Sequence, residues 1–498
     1  MELTDVPARS GPQGARSGRS LAPILALTSV AFFMVALDSL VVVTALPAIH
    51  ASIGGNITTL EWAVNSYALT FAAGIITAAA VGDRLGRRRV YVAGLVLFAA
   101  ASAACAIAPD AAALIAARAI QGLGAAAVTP LSLTILTSAF PAAKRGSIVG
   151  IWGGIGGLAV AGGPLVGGAV VQGLDWHWIF WLNVPIGVTA AILATVYLPE
   201  SRGPARRLDL PAVPLVAGGA AAIAWALVRG SSAGWGSAEV LAAFAAGAAL
   251  LAGFVIRERY AAQPMLPLQM MRIRAFAAAN ATGFLMSGAI FSAAFLTAQY
   301  FQLGLGYSPL AAGLRLLPWT ATPVLIAPLA GALADRIGSR PLMVTGLVLQ
   351  ALGLAWVAVI ATGAGGYGRL VLPLIIAGVG ISMALPSTPA AALGAVPPAD
   401  LGRASGVNNT LQRFGSAFGI AAVTAVFSAY GHLGTSAGVV SGYRPGLVVS
   451  AGLSLAGAVT AVAVGRRVRG TVPQAAPAAV LDPVAGGPTS AAGAKARG

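Results

Sequence analysis

Runs of roughly 20 apolar residues recur fourteen times between Leu21 and Val464, each long enough to cross the ~30 Å hydrocarbon core of a bilayer as a helix. Within that core every backbone N–H and C=O must be bonded inside the protein, so only helices and closed barrels can span it. Barrel strands would read as segments of about ten residues alternating polar and apolar, and no such alternation occurs here. Charged residues make up only 9% of the 498 and hydrophobic ones 58%, with a mean hydropathy of +0.85. The chain reads as an all-α integral membrane protein.

A net charge of +16 would suit nucleic acid if the basic residues clustered on a soluble face. They do not. With the N-terminus in the cytoplasm, 24 of the 30 Lys and Arg residues fall on the cytoplasmic side, Arg229, Arg369 and Arg444 fall on the other, and Arg118, Arg315 and Arg413 lie within spans. That bias is the positive-inside rule. It predicts a multi-pass protein of the cell membrane with both termini cytoplasmic, partnered by the lipid bilayer and by no nucleic acid. The first apolar run carries Asp38, a poor core for a cleaved signal, and reads as a retained helix. Cys105, the single cysteine, excludes an internal disulfide and reads as core filler.

The spans are expected at Leu21–Pro47, Leu60–Val81, Val90–Ala108, Ala111–Phe140, Gly146–Val171 and Trp178–Leu198, then Pro211–Val228 and Ala238–Ile256, then Ala275–Thr297, Pro309–Ala334, Pro341–Thr362, Leu370–Ala395, Leu401–Ala429 and Pro445–Val464. Two charged loops fix how they group. AAVGDRLGRRRV at Ala79 to Val90 follows the second span, and GALADRIGSRP at Gly331 to Pro341 follows the tenth. Two six-helix halves would place the second loop after the eighth span, so two helices are inserted between them. The expected plan is a cytoplasmic tail at 1–20, an N-terminal six-helix bundle at 21–200, a linker with two extra transmembrane helices at 201–262, a C-terminal six-helix bundle at 263–466 and a disordered cytoplasmic tail at 467–498.

Asp38 is read as the one acid well inside a span, the other thirteen being assigned to tails, loops and helix ends. An intramembrane carboxylate is costly, and desolvation favours its loading and releasing protons; a structural helix-to-helix hydrogen bond is the alternative. Arg118 needs a partner if buried, and Asp38 is the deep acid available; otherwise it snorkels to the surface. On the ninth span Phe284, Gly288, Phe291, Phe295, Gln299 and Gln302 share a face suited to a flat, largely apolar compound, or to helix packing. Asn409, Gln412 and Ser416 share a face on the thirteenth span, and Trp62, Asn65 and Ser66 are further cavity candidates on the second. His50, His177 and His432 lie at loops or helix ends, and no H-E-x-x-H, G-x-S-x-G or Walker loop is present, which disfavours a metal site, an enzyme or an ATP-driven pump.

Several motifs occur together and in order: LDSLVVVTALP at Leu37–Pro47, WAVNSYAL at Trp62–Leu69, RAIQGLGAA at Arg118–Ala126, GGPLVGG at Gly162–Gly168, WIFWLNVPIG at Trp178–Gly187 and YSPLAAGLRLLP at Tyr307–Pro318. With the two D-R-x-G-x-R loops, the chain resembles the major facilitator superfamily, in its fourteen-helix drug:proton antiporter branch, and within that the actinobacterial antibiotic exporters. The resemblance implies proton-driven efflux of drugs or antibiotic-like metabolites by alternating access, with a small amphiphilic substrate, protons as the coupling ion, no cofactor and a monomeric protein. It implies proton coupling by Asp38 and Arg118. It implies a conformational latch at Asp83, Arg84, Gly86, Arg87, Asp335 and Arg336, and an antiporter glycine-proline motif at Gly163, Pro164, Gly167 and Gly168. An exporter or flippase of a lipid or cell-envelope precursor is the alternative within the same fold. With one deep acid counted against three deep arginines, a neutral, weakly acidic or monocationic amphiphile is expected.

Overall fold

The apolar runs fold as helices, and at three of the described starts a side chain caps the first turn. Asp110 accepts a hydrogen bond from the Ala113 amide at 2.8 Å, Ser308 from Ala311 at 3.3 Å and Thr435 from Gly438 at 3.0 Å, each satisfying one of the orphan donors of a helix N-terminus. The computed structural model describes residues 21–54, 57–140, 142–202, 211–261, 268–363, 366–397 and 400–465. The expected terminal tails at 1–20 and 467–498 lie outside them. The helices are α1 (Ala22–Ile53), α2 (Ile57–Leu85), α3 (Arg87–Ala106), α4 (Ala111–Ala139), α5 (Ala142–Gly173), α6 (Trp178–Trp181) and α7 (Asn183–Tyr197). Then come α8 (Ala212–Ala233) and α9 (Ala238–Tyr260), a short α10 (Leu268–Met271), and α11 (Arg274–Gln299) ending in a π-helical turn, Tyr300–Gly304. The last are α12 (Pro309–Thr320), α13 (Thr322–Ile337), α14 (Ser339–Ile360), α15 (Gly368–Gly394), α16 (Leu401–Tyr430) and α17 (Ser436–Val462).

Among the described residues, ten stretches are long and apolar enough to cross a bilayer, and eleven if α2, bent by 46° around Ile76, is one span. The polar face of α16, with Asn408, Asn409, Gln412 and Arg413, keeps that helix out of the count although it runs for 30 residues. Leu325, Val359 and Val459 are each about two-thirds exposed or more (72%, 69% and 67%). Such apolar surface is anomalous in water and expected against lipid. Proline moved some expected boundaries. Pro47 and Pro445 were read as ends but lie inside α1 and α17, because neighbouring helices absorb the backbone groups that a proline frees. Pro318 and Pro323 flank the real break, at Ala321, between α12 and α13.

Packing repeats itself across the molecule. The second helix of the first set, α2, packs on α16, the fifth long helix of the last set, and α5 packs on α12, the reciprocal pairing. The helices of the middle pair pack on each other, and α8 leans on both α2 and α16, covering that seam. At the end of the bundle where α1 and α5 finish, the two sets meet tightly: Gln302 Nε2 donates to the Thr44 carbonyl at 2.8 Å, and the Leu310 amide donates to Gln172 Oε1 at 3.2 Å.

Candidate functional site

Asp38 sits midway along α1, with its side chain 1% exposed. α4 presents Arg118 and Gln121 one turn apart, so both reach it. Arg118 Nη1 donates to Asp38 Oδ2 at 2.6 Å and to Gln121 Oε1 at 2.7 Å; Gln121 Nε2 donates to Asp38 Oδ1 at 3.0 Å. The break at Leu182 makes Asn183 the first residue of α7, and its Nδ2 donates to Asp38 Oδ1 at 2.9 Å and to Ser102 Oγ at 3.2 Å. Ser102 in turn donates to the Phe180 carbonyl at 2.9 Å. Every contact on Asp38 is a donor to it, the pattern of an ionised carboxylate. Arg118 Nε donates to the Ala63 carbonyl at 3.2 Å, its guanidinium lies 4.1 Å from the Tyr67 ring centroid, and Nη2 has no hydrogen-bond partner among the described residues. Arg118 is therefore a fully buried pairing residue, not a snorkelling one.

The count of deep acids needs correction. α2 starts at Ile57, three residues earlier than expected, so Glu61 lies within the helix and is 0% exposed. Asn65 Nδ2 donates to its Oε1 at 3.1 Å, and Thr424 of α16 lies beside the carboxylate. No basic side chain pairs with it among the described residues. A polar residue near a helix end is easily read as a loop residue, and its burial comes from partners remote in sequence, Thr424 of α16 among them.

Asp83, at the end of α2, pairs with Arg87 at the start of α3: Nε and Nη2 both reach Oδ1 at 2.8 Å. Arg84 is exposed. Gly86 takes φ +118°, a conformation that favours glycine, and a Cβ there would lie 2.8 Å from the Glu200 carboxyl carbon. Glu200 Oε1 accepts from the Arg88 amide at 3.1 Å, and its Oε2 lies 3.8 Å from Arg88 Nε and from Arg89 Nε. The loop is thus clasped by the segment after α7, a partner that the sequence reading did not assign. In the second loop Gly338 takes φ +85° and Arg336 is exposed; the Asp335 side chain lies outside the described residues.

The glycine-proline stretch of α5 touches helices on two sides. A Cβ on Gly163 would meet Leu40 Cβ at 2.7 Å and one on Gly167 the Val41 carbonyl at 2.9 Å, while Gly168 abuts Pro309 and Gly313 of α12 abuts Pro164. Small residues here let α5 approach α1 and α12 at backbone distance.

A largely apolar cavity between the two helix sets is lined by Leu40, Thr44, Pro164, Ile290, Trp319 and Ile381, among others. α11 therefore faces it with Ile290 and Ala294, one residue before the aromatic stripe. Gly288 is filled by the backbone of α16 at Gly415 and Gly419, the Phe284 ring meets that of Phe418 at a tilt of 40° and 5.5 Å, and Phe291 packs against the core. Phe295 and Gln299 are fully buried, the Gln299 amide has no hydrogen-bond partner among the described residues, and Gln302 is held on Thr44. Gln412 Nε2 donates to Asn408 Oδ1 at 2.6 Å and Asn408 Nδ2 to Asn280 Oδ1 at 3.1 Å, an amide chain joining α16 to α11. Asn409 bonds back to Ser405, and Trp62 and Phe414 both pack against the Ala68, Leu69 and Ala417 cluster at the α2–α16 seam. No cluster of side chains able to hold a metal is found among the described residues.

Residues 28–307 and 281–491 match the Major Facilitator Superfamily. The chain is 36% identical over 408 residues to the multidrug resistance protein Stp of Mycobacterium tuberculosis (strain CDC 1551 / Oshkosh), which covers 82% of this chain and 76% of that one. It is 32% identical over 401 residues to the tetracenomycin C resistance and export protein of Streptomyces glaucescens, covering 80% and 74%. It is 32% identical over 480 residues to the cephamycin export protein CmcT of Amycolatopsis lactamdurans, covering 94% and 96%. Among solved structures, a POT family transporter in complex with 5-aminolevulinic acid superposes with a TM-score of 0.66 at 14% identity, over 90% of this chain and 96% of that one. The xylose transporter XylE from E. coli gives 0.60 at 13% identity, over 88% and 96%. The chain belongs to the major facilitator superfamily.

Proposed function

We propose that this superfamily member is a proton-driven exporter of drugs or antibiotic-like metabolites, working by alternating access in the cell membrane. It is a transporter and not an enzyme: its relatives are named for multidrug resistance and for the export of tetracenomycin C and cephamycin. Fourteen spans, six plus two plus six, put both termini in the cytoplasm; the helix order α1–α17 and the distribution of arginines support that count. The protein acts as a monomer, needs no cofactor and draws on the proton gradient.

The observation that carries the reading is the Asp38–Arg118 pair, buried in the middle of the first bundle and 2.6 Å apart. A buried ion pair stands only while both charges remain, since an unpartnered charge there is strongly destabilising. Loading a proton on Asp38 removes the charge that holds Arg118, Gln121 and Asn183 on three different contacts. Because these come from α4 and α7, their release alters how α1 sits against its own bundle, which couples a proton to a rocking motion of the two bundles. In this topology the ends of α1 and α5 face outward, so the Gln302–Thr44, Leu310–Gln172 and Gly168–Pro309 contacts close the outer side. The latch is assigned to Asp83, Arg84, Gly86 and Arg87, with Asp335 and Arg336 as its weaker copy.

The test is efflux of a panel of antibiotics and dyes from a host lacking its own pumps, with and without an uncoupler, for wild type and Asp38→Asn. Export that stops with the uncoupler and with Asp38→Asn is expected. Gradient-driven export undiminished in Asp38→Asn would remove the coupling role.

A further inference from the structure

α2 carries two aromatic rings one turn apart, and each meets a guanidinium. Arg118 lies 4.1 Å from the Tyr67 ring centroid, and Arg413 of α16 lies 4.3 Å from that of Phe71. The two rings meet edge to face at 5.7 Å, so both cations sit close together across the seam between the helix sets. They differ in one respect. Arg118 is matched by Asp38, whereas no carboxylate pairs with Arg413 among the described residues, and no hydrogen bond from its guanidinium is found there.

Arg413 cannot reach water by snorkelling. It lies twelve residues after Leu401 and seventeen before Tyr430, about 18 Å and 25 Å along the helix axis. Nor can the known deep acids reach it. Both Asp38 oxygens are occupied by Arg118, Gln121 and Asn183. Glu61 faces Thr424, eleven residues further along α16, or about 16 Å away. Yet Arg413 is only partly buried, so its donors face accessible space. Asn409 and Gln412 stand near it on α16, also partly accessible, and Phe414 follows it in the chain and is partly accessible as well.

A guanidinium at this depth, with a fork of donors and a ring beneath it, is built to receive a planar anion. We propose that Arg413 is the anion subsite of the substrate pathway, and that the exported compounds include aromatic amphiphiles bearing a carboxylate or an ionised phenol. The anionic group takes the guanidinium fork, which the buried Phe71 ring backs, and the partly accessible Phe414 next along α16 offers its ring to the aromatic system. The inference rests on the exporter reading above and narrows its substrate class. It also narrows the expectation of a neutral, weakly acidic or monocationic cargo towards its weakly acidic member, since an anion gains from the unmatched positive charge here.

Fluorescein and rhodamine 6G share a xanthene ring system and differ in charge, so the pair isolates the anion. Efflux of each would be measured in pump-deficient cells for wild type, Arg413→Gln and Arg413→Lys, together with fluorescein binding to the purified full-length proteins by fluorescence polarisation. Arg413→Gln is expected to weaken fluorescein binding and its kcat/KM for export about tenfold, the effect of losing a charge-assisted hydrogen bond, while rhodamine 6G export is maintained. Arg413→Lys should fall between. Equal loss of both dyes in Arg413→Gln, with Arg413→Lys restoring both, would make Arg413 part of the transport cycle and overturn the subsite. So would wild-type export of rhodamine 6G without fluorescein. Failure of the wild type to export either dye or any antibiotic of the panel would instead overturn the exporter reading itself, and the subsite with it.

Discussion

Asn183 donates to Asp38 at 2.9 Å across 145 residues of chain, tying the first residue of α7 to the middle of α1. The same amide reaches Ser102 on α3, so one side chain joins three helices around the carboxylate. Asn183→Leu keeps the branched outline of the side chain and removes both donors. It is expected to cost about 2 kcal/mol, as for a hydrogen bond to a charged group, read as a lower thermal midpoint of the detergent-purified protein. Transport should slow as well, because the carboxylate loses a fixed orientation.

The Asp38–Arg118 pair can be weighed by a double-mutant cycle. Asp38→Asn alone leaves a fully buried guanidinium without its counter-charge, and Arg118→Met alone leaves a carboxylate held only by two amides. Each single change is expected to destabilise by about 3–5 kcal/mol. The double variant should lose clearly less than the sum, since neither charge is then stranded. Thermal unfolding of the four proteins gives the coupling energy, and a value near zero would mean that the pair contributes no mutual stabilisation. All three variants should lack gradient-driven transport.

Gly168 of α5 leaves no room for a side chain beside Pro309 and Leu310 of α12. Gly168→Val therefore forces the two helices apart, and interiors packed at this density do not absorb such a change locally. The expected result is a shift away from the outward-closed arrangement. In a Cys105→Ala background with Gln302→Cys, labelling from outside by a membrane-impermeant maleimide should rise about tenfold, the population change that ~1.4 kcal/mol produces. Unchanged labelling would show that this contact does not seal the outer side.

How far the sequence could be read depends on whether the signal was local. Span length, arginine placement and the paired D-R-x-G-x-R loops are properties of short windows, and so the helices, the repeat and the Asp38–Arg118 pair were legible. Asn183 stands within WIFWLNVPIG with no local sign of its role, because its partner lies on α1. Glu61 reads as a helix-end residue, because what buries it is remote in sequence, Thr424 of α16 included. The stripe on α11 failed in register for the same reason. Its period correctly marked one face, but Gly288 is occupied by α16 and the cavity is faced by Ile290 and Ala294. Periodicity tells which residues share a side of a helix and not what stands opposite them.

The charged loop after α2 separates a stability role from a functional one. The Asp83–Arg87 pair is partly open to solvent, its side chains 33% and 16% exposed, so Asp83→Asn should cost no more than about 1 kcal/mol and leave the thermal midpoint nearly unchanged. Gly86 is different, since a side chain there is strained at φ +118° and also collides with Glu200. Gly86→Ala should cost about 1–3 kcal/mol from the backbone alone, with a further loss as Glu200 releases the Arg88 amide. Pairing it with Glu200→Ala removes the collision but not the strain, so the double variant is expected to remain less stable than Glu200→Ala alone. Against these stability references, transport by Asp83→Asn isolates the latch. A protein of native stability whose turnover falls severalfold assigns Asp83 to switching between states, whereas normal turnover would leave it as a charge that ends α2 and holds Arg87 in place.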